Sequence, residues 1–136
     1  MIVERQTFEI ERLLMYQTII DDKDVPMFLS SLYKNIQVLD VQICGSILIT
    51  KQDKITRFFV PIDKIIIPNK NYGFKEAIKI KNALKFRHYG GFRKISDGLQ
   101  ELNKYIFEKK LDCLTDSYIV PRDFVDYVYD IYVGIS

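Results

Sequence analysis

KISDGLQELNKYIFEKK, residues 94–110, decides how the rest of the chain is read. Ile95, Leu99, Leu102 and Ile106 recur at helical spacing, so the segment reads as an amphipathic helix with one apolar face. Each of the four stands 70 positions beyond an apolar residue of an earlier segment, DVPMFLSSLYKNI (24–36), namely Val25, Leu29, Leu32 and Ile36. A shared helical face invites comparison of what flanks it. LLMYQTII (13–20) precedes the first helix and LKFRHYG (84–90) the second, and both read as strands. After the first helix come GSILITK (45–51) and ITRFFVPI (55–62), two strands joined by the polar turn QDK. RFFVPI (57–62) aligns with DIYVGI (130–135) at a separation of 73, so three residues are expected to have entered the second copy, in the loop between helix and sheet. The order β-α-β-β occurs twice.

A single β-α-β-β unit leaves a small sheet with one apolar face uncovered, and two units in one chain supply the cover for each other. The expected fold is α+β: tandem β-α-β-β repeats forming a curved antiparallel sheet with two main helices on one face. The chain is expected as one domain over residues 1–136, built of repeats at about 1–63 and 83–136 with a connector at 64–82. Asp24 is placed to cap the first helix, and Pro26 falls in its first turn, where a missing N–H costs little. Bending of the sheet between the repeats makes a groove, a natural seat for a ligand.

Composition narrows the function classes. Twenty Lys and Arg against 18 Asp and Glu give a formal charge of only +2, too weak a field for direct nucleic-acid binding. The lysines between Lys64 and Lys85 read as a solvated connector. No apolar run approaches the roughly 18 residues of a membrane span. MIVERQTFEIER at the N-terminus interrupts its apolar residues with acids, unlike a secretory signal, and a cytoplasmic location is expected. Cys44 and Cys113 read as half-buried thiols of a reducing compartment, and one histidine excludes a multi-histidine metal site. No metal or other cofactor is expected. Nor is a separate DNA-binding domain, in so short a chain.

FRHYGGF (86–92) resembles the aromatic-glycine segment that precedes the second helix of the GyrI-like small-molecule-binding domains, which also serve as effector-binding regions of bacterial multidrug-responsive transcription activators. VYDIYVGI (128–135) is similar to that family's closing strand, in which an acid precedes an apolar run ending in a proline-containing dipeptide. The resemblance is to the stand-alone form. It implies a tandem β-α-β-β fold and an aromatic-lined central pocket with a carboxylate at its floor, receiving bulky, often cationic, apolar compounds. Asp130 matches the carboxylate, one methylene shorter than the usual glutamate, and Gly134 stands where proline is expected, with Pro61 at the equivalent place in the first repeat.

Two partners are open to Asp130: a ligand cation assisted by tyrosine faces, or Arg57, its repeat equivalent, in a permanent salt bridge. Strand alternation puts Tyr132 on the Asp130 side and Tyr127 and Tyr129 on the other. Asp130, Tyr132, Tyr89 and Arg57 are therefore the candidate ligand-binding residues. His88 lacks a nucleophile motif and reads as structural, with HYGG ending a strand and turning the chain toward its helix. The expected function is non-enzymatic binding of an apolar, in one version cationic, small molecule between the repeats. The alternative is a protein-interaction or self-association module, such as a homodimer, on the same fold. Hydrolysis, implied by some GyrI-like proteins that use a tyrosine and an acid, is the weakest reading because the acid is shortened.

Overall fold

The computed structural model describes residues 2–123 and 125–136. Helix α1 (Val25–Ile36) buries Val25, Leu29, Leu32 and Ile36, the face read from spacing. Helix α2 (Ile95–Glu108) buries Ile95, Leu102 and Ile106, but Gly98 rather than Leu99 is its fourth buried position. The Asp24 side chain makes no capping hydrogen bond; a single 3-10 turn, Asp22–Asp24, leads into the helix instead. Each helix is followed by a residue in the left-handed region, Asp40 and Lys110, both at φ 54° and 70 positions apart.

Six antiparallel strands are found among the described residues: β1 (Ile2–Ile19), β2 (Leu48–Gln52), β3 (Ile55–Pro61), β4 (Gly73–Tyr89), β5 (Tyr118–Pro121) and β6 (Val128–Gly134). They pair in the order β1-β3-β2-β5-β6-β4, and β4 pairs back with β1, so the curved sheet closes into a barrel. Closure comes from two strands much longer than the sequence suggested. Residues 73–82, read as connector, are strand: Ile78 and Ile80 point inward while Lys79 and Lys81 remain exposed. β1 pairs with β4 from Ile2↔Phe86 to Met15↔Gly73, across register shifts between Val3 and Phe8 and with Arg5 at φ 59°. Such bulges break the strict alternation by which a strand is recognised.

The repeat is a spatial two-fold. Every residue pair between β1 and β3 recurs between β4 and β6 at the same offsets, as Leu13↔Pro61 and Ala83↔Gly134 show. Where the halves meet, two residues pair with their own counterparts 70 positions on: Ile49 with Ile119, and Glu9 with Lys79. These two pairs mark the axis. The offset is still 70 at Ile119, so the three extra residues do not lie between helix and sheet as expected. They lengthen the turn between β5 and β6.

Alternate residues of the barrel feed two cores. The outward-facing set, including Leu14, Ile49, Phe58, Leu84, Ile119, Tyr129 and Ile131, packs under both helices. The inward-facing set fills the barrel with Phe8, Leu13, Leu48, Phe59, Ile78, Ile80, Tyr118, Val120 and Tyr132. Among the described residues, no helix is long and apolar enough to cross a membrane.

Candidate functional site

The space between the repeats is occupied. Four aromatic rings meet inside the barrel, Phe8 with Tyr132 at 4.8 Å between centroids, Phe8 with Tyr118 at 6.3 Å and Phe59 with Tyr118 at 6.2 Å. All four residues are buried. The aromatic lining implied by the GyrI-like resemblance is therefore present as a plug of the chain's own side chains.

Asp130 enters this interior from β6, two residues before Tyr132, and is completely buried. Arg87, opposite it on β4, donates from Nε to Oδ1 (2.9 Å) and from Nη2 to Oδ2 (3.0 Å). Arg122, just past β5, donates from Nε to Oδ2 (2.7 Å) and from Nη2 to the Tyr132 hydroxyl (2.8 Å). Lys85 Nζ stands 3.7 Å from Oδ2. Burial alone would push this carboxyl up; hydrogen bonds from Arg87 and Arg122, with the charges of Lys85 and Arg87, outweigh it and hold the group below the usual carboxylate range. The same contact raises the Arg87 guanidinium further above its already high range.

Arg57 is not a partner of Asp130. It donates to Gln17 (3.3 Å) and Gln52 (3.0 Å), and the repeat offsets carry Gln17, Gln52 and Arg57 onto Arg87, Arg122 and Asp130. The two-fold thus places the same three-residue cluster at each end of the barrel, a cation between two amides at one end and a carboxylate between two cations at the other. Cross-strand neighbours, rather than the repeat equivalent across the axis, neutralise the acid.

Of the four candidate residues, Asp130 and Tyr132 are brought together and joined through Arg122. Tyr89 lies at the same end of β4 as Arg87, exposed, its ring 6.0 Å from that of Tyr127. Arg57 sits at the other end. Arg87, Arg122 and Lys85 were missed by sequence reasoning, although strand alternation from Tyr89 already puts Arg87 and Lys85 on one face.

His88 points the other way, toward α2, buried with Nε2 2.9 Å from the Gly91 carbonyl oxygen. Gly91 has φ 81°, and a Cβ there would meet the Asp126 carbonyl oxygen at 2.7 Å, so HYGG does turn the chain as read. Both cysteines are exposed, not half-buried. Among the described residues, no group of three His, Cys, Asp or Glu is placed to hold a metal.

A cleft of about 570 Å³ opens on the helix side between α1 and the lengthened β5–β6 loop, lined by Leu29, Tyr33, Arg122, Asp126 and Tyr129 among others. The acids of this loop are engaged in holding it. Asp123 accepts from the Tyr127 and Val128 N–H groups, and Asp126 from the Phe92 N–H and the Tyr129 hydroxyl. Phe124, in the same loop, lies outside the described residues.

Among solved structures, the C-terminal domain of EcmrR superposes over 99% of this chain and 98% of its own, with a TM-score of 0.70 at 9% identity. The chain shares its fold with the EcmrR C-terminal domain. In the EcmrR–DNA complex of EcmrR-RPo, the TM-score is 0.74 at 10% identity, with 99% of this chain covered and 57% of that one. The chain spans little more than half of that EcmrR. A hydrolase from Listeria innocua is more distant, with a TM-score of 0.55 at 10% identity over 97% of this chain and 92% of that one. No family model and no curated protein matches the sequence. The fold is the one that the GyrI-like resemblance implied.

Proposed function

We propose that the chain is a non-enzymatic small-molecule receptor that admits an apolar compound between its repeats by displacing the aromatic plug. The observation that carries this reading is the plug itself: Phe8, Phe59, Tyr118 and Tyr132, four rings from four strands and both repeats, in a space bounded by polar clusters at its ends. Rings that pack on one another rather than on backbone can part and re-form their contacts on a flat apolar guest, which replaces lost dispersion with its own. Catalysis is disfavoured by the same geometry. Asp130 is held as a carboxylate far below neutral pH and is shielded by two guanidinium groups, a poor arrangement for an acid or base.

A neutral fluorescent apolar probe, N-phenyl-1-naphthylamine, tests the reading. Saturable binding near one per chain, together with a concentration-dependent rise in melting temperature, is expected. A linear, unsaturable signal with no rise would reject it. A second reading, a self-association or partner-binding module, is favoured by the filled interior. It predicts a stable dimer in light scattering and indifference to the probe.

A further inference from the structure

Asp130 is the position at which the GyrI-like resemblance leads one to expect a receptor for cations, and the geometry reverses the sign. The carboxylate is 0% exposed, while the side chains that cover it, Arg87, Arg122 and Lys85, are 43%, 35% and 27% exposed. Anything approaching Asp130 from solvent meets two guanidinium groups and an ammonium first. Both Asp130 oxygens already accept hydrogen bonds, Oδ2 from two arginines. One negative charge lies among three positive ones.

The cluster also retains donors. Arg122 spends Nε on Asp130 and Nη2 on Tyr132, and among the described residues its Nη1 meets no protein acceptor. Lys85 touches Asp130 only as a 3.7 Å ion contact. The acids of the neighbouring loop, Asp123 and Asp126, carry their own charge beside Arg122, but among the described residues neither forms an ion pair with Arg87, Arg122 or Lys85. Asp123 and Asp126 accept from backbone N–H groups of the loop and of Phe92, in the turn before α2, and the Tyr129 hydroxyl that also binds Asp126 belongs to the core beneath the helices. Directly behind the cluster lie buried apolar side chains: Tyr132, held by Arg122, and beyond it Phe8.

Resting on the receptor reading above, we infer that this end of the barrel selects an anionic amphiphile, its carboxylate, sulfonate or similar head on Arg122, Lys85 and Arg87 and its apolar body against Tyr132 and Phe8. Asp130 serves as the internal counter-ion that aligns the two guanidinium planes and keeps them close despite their repulsion. A cation would have to displace an arginine to reach it.

Two ions of nearly the same size and shape and opposite charge decide the matter: tetraphenylborate and tetraphenylphosphonium, titrated by calorimetry into the full chain and into Lys85→Gln and Arg122→Gln. The borate is expected to bind roughly tenfold or more tightly than the phosphonium at low salt. That preference should shrink at high salt and in both variants. Lys85→Gln removes no hydrogen bond to Asp130, so it remains informative if Arg122→Gln fails to fold. Equal affinities, tighter phosphonium, or a preference untouched in Lys85→Gln would overturn the inference and leave the receptor standing. Failure of both ions while N-phenyl-1-naphthylamine binds would also overturn it. Failure of all three probes would remove the receptor itself.

Discussion

At the scale of single residues, Asp130 illustrates how a buried charge is tolerated: its two oxygens accept three charge-assisted hydrogen bonds. Asp130→Asn keeps the shape but strips the negative charge from a cluster of three cations. It should cost about 3 kcal/mol, the low end for breaking a buried ion pair from one side, because the arginines reach water. Urea unfolding of the variant at neutral pH measures this. The pH dependence has a definite sign. The folded carboxyl lies below its ordinary value, so its contribution is complete above the unfolded pKa of about 3.9 and is lost as pH falls through the lower folded value. The parent chain should therefore lose stability on acidification below about pH 4 more steeply than Asp130→Asn does. What the sequence concealed was the partner rather than the acid. Asp130 stands out in an apolar strand, but Arg87 and Arg122 become its neighbours only through the β4–β6 and β5–β6 registers inside the second repeat, which no local spacing fixes.

At the scale of elements, α1 was legible to the residue because its buried face is four large apolar side chains. Helix α2 departed by one position, since Gly98 takes the place nearest the barrel where His88 needs room. A Cβ on Gly98 would come 2.8 Å from His88 Nδ1, and His88 cannot retreat while Nε2 is held to the Gly91 carbonyl. Gly98→Ala should therefore lower the melting temperature, overpacking of roughly 1–3 kcal/mol exceeding the gain of about 1 kcal/mol in helix propensity. The double variant Gly98→Ala/His88→Ala should recover part of the loss. The long strands were the least legible elements. In β1 the bulges interrupt alternation, and in β4 the outward lysines that make a ribbon soluble also make it look like a linker.

At the scale of the whole molecule, the barrel depends on its aromatic interior, which faces no helix and has no other cover. Phe8→Ala should cost about 3–4 kcal/mol in unfolding experiments, as removal of a buried ring does. On the receptor reading it should also let the barrel hold a benzene-sized guest, seen as a melting-temperature rise absent from the parent chain. The duplication, and with it the α+β class, was visible in the offsets of 70 and 73; that the groove would be roofed by β1 and β4 was not, because closure is a long-range pairing with no local signature. One contact on the axis bears on how such a molecule arises. Glu9 faces Lys79 at 3.5 Å, exposed and worth little energy. Two separate copies of the first half, assembled in the same way, would set glutamate against glutamate there, and two copies of the second would set lysine against lysine. Only unlike halves let that position attract, so either half expressed alone meets like charge at the centre of any barrel it rebuilds with itself.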